Sequence, residues 1–442
     1  MQHSLRMSNL AWLRAGGLEL TQHYVQPSCA PTRSSLMTGR ISNHLGTQNG
    51  GWHESDAAGL PLQETTLAEN LRDAGYATAI FGKWHLGYYK REFLPTSRGF
   101  DRQEGYYNAQ CDYFTHQTSQ NSEYPDGYDW NSDCVPTPAR KGIFSDYLLR
   151  DAAVSYLRAR AANASGVTQP WFLYLPMQAV HAPLQVPPQY LDLYPMLPKG
   201  SKRRIKAGML SALDDALGAV LGALNSSAEM ANRTLTLFTS DNGAQQHFGG
   251  SNVPYRGWKH ELFEGGIRTP TIVHSAGAAL LPPALRGTAH DGFFHVSDWL
   301  PTLVGLAGGN TSRNRPLDGL NIWQSLLRGT GSPRTELFHC DVDPRVPRTS
   351  MQGPHTALRV GPLKLLQWPN GTNAVFNVSA DPEEAHDLSS HHSKQLLPPL
   401  LARLAYWRNQ SVPAWVSDAA CLPLLGPVRY NSTVSVWAPT CD

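Results

Sequence analysis

The first three quarters of the chain alternate short apolar runs with segments of helical periodicity. The apolar runs are four or five residues long and predict buried strands, at 77–81, 171–175, 235–239 and 271–274. Longer segments with apolar positions at helical spacing predict helices, at 67–74, 145–162, 207–224 and 296–306. Because such alternation is typical of sheets covered by helices, the pattern predicts an α/β fold with a mostly parallel, helix-sandwiched sheet.

The pattern changes after about residue 334. Three short strands joined by Gly, Pro and Asn turns are predicted at 356–360, 364–368 and 374–378, and a helix at 395–406. This arrangement predicts a small antiparallel sheet that carries one helix. We therefore expect a catalytic α/β domain over 1–335 and a smaller α+β domain over 336–442.

Polar clusters follow three of the predicted strands directly. They occupy residues 82–85, 178–183 and 241–243. In open α/β sheets, ligands collect beyond the carboxyl ends of the strands. The repeated placement therefore predicts a functional site at that edge of the sheet.

Composition excludes two classes of protein. The 37 basic and 35 acidic residues nearly balance, and no basic run exceeds three residues, so the chain lacks the charge footprint of a nucleic-acid binder. No stretch of eighteen apolar residues occurs, so no transmembrane segment is expected. Hydrophobic residues at 41% support a large core, as in a globular enzyme.

Asparagines and cysteines indicate the compartment. Eight N-x-[ST] sequons occur, at Asn163, Asn225, Asn232, Asn310, Asn370, Asn377, Asn409 and Asn431. This excess predicts a glycoprotein of the secretory pathway, lysosomal or extracellular, in which disulfides such as Cys111–Cys134 or Cys421–Cys441 could form. No signal-peptide core follows Met1, so we expect the signal peptide to lie upstream of this sequence.

The most specific motif begins at Cys29. Residues 29–40 have the form C-x-P-x-R-x4-T-G-R. The pattern resembles the signature of the sulfatase family, in which the cysteine is oxidised to formylglycine by a formylglycine-generating enzyme. The resemblance implies that Cys29 becomes the nucleophile and that Arg33 holds it. The simpler alternative is a structural cysteine before a helix.

Other segments carry the same resemblance. Gly-Lys-Trp-His-Leu-Gly at 82–87 matches a family segment, which implies that Lys83 binds a sulfate oxygen and His85 contacts the nucleophile. His181 and Lys259 match the proton donor to the leaving group and a second sulfate-binding lysine. Outside this context, a Lys-x-His after a strand is an ordinary solvated surface, and His181 a histidine satisfied by the backbone of a proline-rich loop.

A metal ion is implied by the same resemblance. Asp241 and Asn242 lie at the family's metal position and, with residue 29, are the expected ligands. Their oxygen donors suit Ca²⁺ better than zinc. Asp-Asn-Gly is also a common turn sequence, so the triplet alone is a weak signal.

The resemblance covers nearly the whole chain, including 94–101, 297–302 and 381–388, and implies an alkaline-phosphatase-like fold. Within the family, the chain looks most like the arylsulfatase B or N-acetylgalactosamine-4-sulfatase group. We therefore expect a sulfuric ester hydrolase that acts on sulfated sugars or aryl sulfates. A phosphatase or phosphodiesterase of related fold is the alternative enzyme, although such enzymes use an unmodified Ser or Thr.

The chain departs from the family at its start. Sulfatases open with an apolar strand that runs into two metal-binding aspartates, whereas no Asp precedes Asp56, and residues 7–20 resemble the helix that follows that strand. We expect an incomplete view of a full enzyme. The alternative is a metal-poor, inactive relative that binds sulfated glycans. Five cysteines remain once Cys29 is assigned to chemistry, and Cys340 is the expected unpaired one.

Overall fold

A computed structural model describes residues 5–52, 56–118, 127–162, 169–346, 350–417, 428–430, 434–436 and 439. The helices are α1 Ser8–Ala15, α2 Cys29–Thr38, α3 Ser42–Leu45, α4 Leu67–Asp73, α5 Ser145–Ala162, α6 Pro188–Leu191, α7 Lys202–Asn225, α8 Ala228–Asn232, α9 Glu264–Ile267, α10 Trp299–Leu306, α11 Trp323–Arg328 and α12 Ser389–Arg408.

The strands are β1 Gly17–Tyr24, β2 Ala77–Lys83, β3 Arg102–Tyr106, β4 Gln117–Thr118, β5 Gly127–Tyr128, β6 Asn131–Ser132, β7 Val135–Pro136, β8 Trp171–Tyr174, β9 Thr236–Phe238, β10 Thr271–His274, β11 Thr288–His295, β12 Glu336–Asp341, β13 Thr356–Val360, β14 Leu363–Gln367, β15 Asn373–Asn377, β16 Val428–Tyr430 and β17 Val434–Val436.

Two mixed sheets form the large α/β part of the molecule. One has the order β7-β6-β3-β2-β8, with β2 parallel to both β3 and β8. The other has the order β11-β1-β10-β9, with β1 parallel to β11 and antiparallel to β10. The α/β class is confirmed, and all four predicted strands lie in these sheets.

The start of the chain differs from its prediction. The expected helix over 7–20 ends at Ala15, and β1 begins at Gly17. A Cβ on Gly17 would lie 2.8 Å from the carbonyl oxygen of Leu13, so the turn between helix and strand requires glycine here. Leu18 and Leu20 are buried on alternate positions, which is the period of a strand.

Strands β8 and β9 end their respective sheets, and both line a cavity of about 1400 Å³. Apolar side chains of α5 and α7, such as Leu157, Leu217 and Val220, line the same cavity. Its polar end includes Lys83 and Asp241. The cavity therefore leads from the apolar interior to the carboxyl ends of the strands.

Helix α7 packs against α1, α5, α6 and α8. Within the described part of the chain it is the one helix long and apolar enough to cross a membrane, and 56% of its most apolar window is buried in the protein. Burial of that extent is expected of a core helix.

The C-terminal part contains the antiparallel sheet β12-β13-β14-β15, against which α12 packs. The sheet and its helix were expected, although β12 was not. The chain then returns to the large part of the molecule, where β17 pairs with β5.

The cysteine expectations have a mixed outcome. The suggested Cys111–Cys134 disulfide is wrong, because both thiols are free: Cys111 Sγ faces Gln178 Oε1 at 3.5 Å, and Cys134 Sγ faces Thr96 Oγ1 at 3.1 Å. Cys340 is free, as expected, and buried. Cys421 and Cys441 lie outside the described residues.

Candidate active site

Cys29 is the first residue of α2 and is 5% exposed. The Thr32 hydroxyl accepts from the backbone N–H of Gln26, which closes the preceding turn, and it donates to the carbonyl oxygen of Asp241, which links α2 to the segment after β9. At the other end of α2, Gly39 adopts a left-handed conformation with φ 70°. The motif that singled out Cys29 thus forms one buried helix with a fixed start.

Two lysines surround the Cys29 thiol. Lys259 Nζ lies 3.2 Å from Sγ. Lys83 is 2% exposed, and its Nζ has no hydrogen-bond partner among the described residues. Burial alone would raise the pKa of the Cys29 thiol, but Lys259 and Lys83 bring that pKa well below its usual value. Position 29 therefore lies in a strongly cationic pocket.

The pKa of the Lys83 ammonium is shifted as well. Burial lowers its pKa to about 8, although the negative charges at Cys29 and Asp241 oppose the shift. Such a buried ammonium without a partner is costly, since charges out of water need compensation. An anion bound at this point would supply it.

Two histidines border the pocket in the neutral form. Burial and the neighbouring Lys83 lower the pKa of His85 to about 4, and its Nε2 lies 2.8 Å from the carbonyl oxygen of Trp52. Burial and Lys259 also lower the pKa of His181. His181 Nδ1 lies 2.8 Å from its neighbour's carbonyl oxygen at Ala182, and its Nε2 lies 3.2 Å from Lys259 Nζ.

Arg33 is buried like the lysines, and its guanidinium connects α2 to three other elements. Its guanidinium donates to the carbonyl oxygen of Lys83 at 2.9 Å, to Tyr174 Oη at 3.3 Å and to Asp241 Oδ2 at 2.8 Å. Arg33 therefore joins α2 to the ends of β2 and β8 and to the segment after β9. These contacts orient the site as well as adding positive charge.

Asp241 and Asn242 offer oxygen donors of the kind a hard cation prefers. The carboxylate of Asp241 is paired with Arg33, while Asn242 Oδ1 is buried with no partner in the described part of the chain. Among the described residues, no group of three or more His, Cys, Asp and Glu side chains is arranged to hold a metal ion. Calcium takes six to eight oxygens, so these two residues would supply only part of its coordination.

Sequence reasoning missed the residues that support the His181 loop. Asp146, in the first turn of α5, accepts the backbone N–H groups of Gln178 and Ala179 at 3.3 and 3.4 Å. Lys206 of α7 donates to the carbonyl oxygen of Val180 at 2.5 Å. Neither residue belongs to a short motif, and only the packing of α5 and α7 over the loop brings them there.

The structure brings all the sequence-predicted site residues to one place, namely Cys29, Arg33, Lys83, His85, His181, Asp241, Asn242 and Lys259. They come from α2, the end of β2, the loop after β8, the segment after β9 and the loop before α9. The arrangement combines a thiol, two ammonium groups and a histidine that can exchange a proton.

The chain is similar to known proteins over most of its length. The model of the sulfatase family matches residues 2–309. Mouse arylsulfatase J is 34% identical, with 92% of this chain and 73% of the relative aligned. Bovine arylsulfatase A is 33% identical, with 90% and 76% aligned. For pig N-acetylgalactosamine-6-sulfatase the identity is 30%, and the chain spans 63% of that relative's length.

Solved structures show the same fold. Ps i-CgsB in complex with k-i-k-neocarrahexaose has a TM-score of 0.81 at 24% identity, over 95% of this chain and 91% of that one. A phosphonate monoester hydrolase of Agrobacterium radiobacter has a TM-score of 0.62 at 16% identity, over 92% and 91%. Because the second protein has another named activity, the fold alone does not determine the reaction.

Proposed function

Because this chain belongs to the sulfatase family of sulfuric ester hydrolases, we propose that it hydrolyses sulfate esters of sugars with residue 29 as the nucleophile. The observation that carries the proposal is the pocket around Cys29, where Lys259 Nζ lies 3.2 Å from Sγ and the Lys83 ammonium has no partner among the described residues. A nucleophile between two buried cations suits an anionic ester.

Formylglycine at position 29 would supply, as its hydrate, one hydroxyl that attacks sulfur and a second that later releases sulfate. The surroundings of Cys29 fit this group, since it is small and polar and the pocket holds cations and neutral histidines. His85 lies beside residue 29 in its neutral form and can accept a proton there. Lys83 and Lys259 would bind the sulfate oxygens and stabilise the charge that develops on them.

We propose that His181 protonates the leaving oxygen. Burial and Lys259 lower its pKa in the free protein. A sulfate ester beside Lys259 would bring negative charge next to the imidazole and so favour the protonated form. Binding of the substrate thereby favours the protonated imidazole that the leaving oxygen requires.

We propose a divalent cation, most simply Ca²⁺, at Asp241 and Asn242 with residue 29. When bound, it would polarise the nucleophile and the sulfate oxygens. Asn242 Oδ1 supports this placement, because it is buried and has no hydrogen-bond partner among the described residues. The remaining ligands have to come from water, substrate or residues other than these two.

The proposed substrate is a sulfated sugar of the N-acetylgalactosamine-4-sulfate type, and simple aryl sulfates would serve as probes. The names of the relatives support this class, since pig N-acetylgalactosamine-6-sulfatase and the neocarrahexaose-bound Ps i-CgsB act on or bind sugars.

We also propose the secretory pathway as the location of the protein, because five of the six sequon asparagines that the structure describes are exposed: Asn225, Asn232, Asn310, Asn370 and Asn409. A domain boundary near residue 335, just before β12, remains part of this proposal.

The test uses the chain co-expressed with a formylglycine-generating enzyme, with conversion of residue 29 verified by peptide mass spectrometry. We expect turnover of 4-nitrophenyl sulfate in the presence of Ca²⁺, and none after Cys29→Ala. The matched control is Cys340→Ala, which removes another buried free thiol away from the pocket and should keep turnover. Activity that survives Cys29→Ala would refute the assigned nucleophile.

A second candidate function is favoured by the small set of metal donors. Asp241 and Asn242 are the donors at the metal position among the described residues, and a site limited to them could bind sulfated glycans without hydrolysing them. In that case the converted chain would bind N-acetylgalactosamine 4-sulfate, Lys259→Met would abolish binding, and no product would form at any Ca²⁺ concentration.

A further inference from the structure

A cluster of fully buried charges lies between the C-terminal sheet and the loop that carries Lys259. Lys364 of β14 lies 3.0 Å from Glu264 Oε1 and 2.9 Å from Glu384 Oε1, and none of the three side chains is exposed. The Tyr24 hydroxyl donates to Glu264 Oε2 at 2.6 Å and accepts from Arg359. Buried charges of this kind persist only when each is paired.

Glu384 has a second set of contacts that point toward the active site. Its Oε2 accepts the backbone N–H of Glu264, the first residue of α9, at 2.6 Å. Its carbonyl oxygen accepts from Arg256 at 3.3 Å. Glu384 also has φ 55°, a left-handed conformation that a residue other than glycine adopts only when its contacts hold it. One residue therefore touches both ends of the segment 256–264.

Backbone hydrogen bonds join the two ends of the same segment and attach it to the turn at 241–243, which carries the proposed metal donors. The backbone N–H of Gly265 donates to the carbonyl oxygen of Arg256 at 2.6 Å, and that of Gly243 donates to the carbonyl oxygen of Gly266 at 2.9 Å. Lys259 is fixed inside this frame by its own N–H, which donates to the carbonyl oxygen of Ala244 at 3.1 Å. A shift of the frame would move the Lys259 ammonium relative to residue 29.

We propose that Glu384 is a positioning residue for Lys259: held by Lys364, its carboxylate fixes the start of α9 and thereby the ammonium that faces residue 29. The segment 381–388 of the C-terminal part, which was singled out by its sequence, thus acts on the active site from outside it. The effect on sulfate binding rests on the proposed function, whereas the effect on the loop does not.

The first experiment compares Glu384→Gln with Glu383→Gln, a matched change at the neighbouring exposed residue. Hydrogen exchange of the 256–266 peptide should accelerate at least tenfold in Glu384→Gln only, since the amide cannot pair with Lys364 as a carboxylate does. Binding of inorganic sulfate, measured by calorimetry, should weaken at least tenfold in the same variant. Glu384→Asp keeps the charge but shortens the reach to Glu264, so it should give the same local loosening if the Gln variant does not fold.

A double-mutant cycle separates positioning from general stability. In a Lys259→Met background, Glu384→Gln should change sulfate affinity by less than twofold, because the residue through which it acts is gone. A full tenfold loss of affinity in the Lys259→Met background would overturn the proposal. So would a Glu384→Gln variant with Lys259 intact that exchanges 256–266 fast but binds sulfate with unchanged affinity. If the parent chain binds no sulfate after conversion of residue 29, the proposed function fails. Unchanged exchange of 256–266 in Glu384→Gln would overturn this inference separately.

Discussion

Replacement of Asp146 by Asn should stabilise the protein at neutral pH and change the way its stability depends on pH. Asp146 is fully buried, and burial raises its pKa from 3.8 to about 7 despite the two N–H groups that it accepts from Gln178 and Ala179. Among the described residues no cation contributes to this pKa, because the two N–H groups are the influences that oppose burial.

The size of the stability change follows from the shift in the pKa of Asp146. A pKa of about 7 in the folded state and 3.8 in the unfolded state differ by about 3.2 units, or about 4 kcal/mol at 1.36 kcal/mol per unit. The folded state retains this proton more strongly, so the contribution of Asp146 to stability is fully present below pH 3.8 and is lost as the pH rises through about 7. Between pH 5 and pH 8 the loss amounts to about 2.5 kcal/mol.

The assay is urea unfolding at pH 5 and pH 8 for the parent, Asp146→Asn and Asp151→Asn. Asp151 lies on the same helix but is exposed, so its replacement should shift stability by less than about 0.5 kcal/mol. Asp146→Asn keeps an oxygen acceptor for the loop and should lose about 2.5 kcal/mol less than the parent between the two pH values. If the parent and Asp146→Asn respond identically, Asp146 is ionised in the folded protein and the argument from burial is refuted.

Three further changes test the site and its support. Lys83→Met should reduce kcat/KM at least about 100-fold, because the ammonium that would stabilise the sulfate charge is removed. The thermal midpoint should stay unchanged or rise, because this buried ammonium has no partner in the described part of the chain. A lower midpoint with full activity would contradict this prediction. His181→Ala should slow hydrolysis of a sugar sulfate at least about 100-fold but that of 4-nitrophenyl sulfate much less, because a good leaving group needs little protonation; equal losses would argue against a proton donor. Trp84→Phe should cost about 1–3 kcal/mol in urea unfolding, since it leaves the carbonyl oxygens of Gly87 and Phe93 without their indole donor, whereas Trp12→Phe at an exposed position should cost little.

The elements next to the site could be predicted because their signals are local. β2 and β8 are short apolar runs, and the polar residues that follow them along the chain lie at the site. The Cys29 motif forms a helix with a glycine at its left-handed end, in agreement with its sequence. In these segments, periodicity and turn residues favour the same structure.

The features of the fold and the site that could not be predicted depend on contacts between residues far apart in the sequence. Arg33 and Asp241 pair across 208 positions, and nothing near either residue indicates the other. The helix predicted over 7–20 is wrong in its second part, where β1 gains its partners from β10 and β11, more than 250 residues later. The support that Asp146 gives to the His181 loop has the same origin, since α5 has to pack beside that loop first.

The charges around residue 29 lead to a last prediction about maturation. Arg33, Lys83 and Lys259 face Asp241 and, before modification, a Cys29 thiol whose pKa lies well below its usual value because Lys259 and Lys83 outweigh burial. An ionised thiol at position 29 would compete with sulfate for the cationic pocket, and the proposed conversion to a neutral aldehyde hydrate would remove that anion. Two like charges about 5 Å apart repel by about 3 kcal/mol at an effective dielectric constant of about 20. Calorimetry with inorganic sulfate should thus show at least tenfold tighter binding to Cys29→Ala than to the unconverted parent, with Cys340→Ala as the control. Equal affinities would mean that the thiol is not ionised, and that the lysines do not control the charge at position 29.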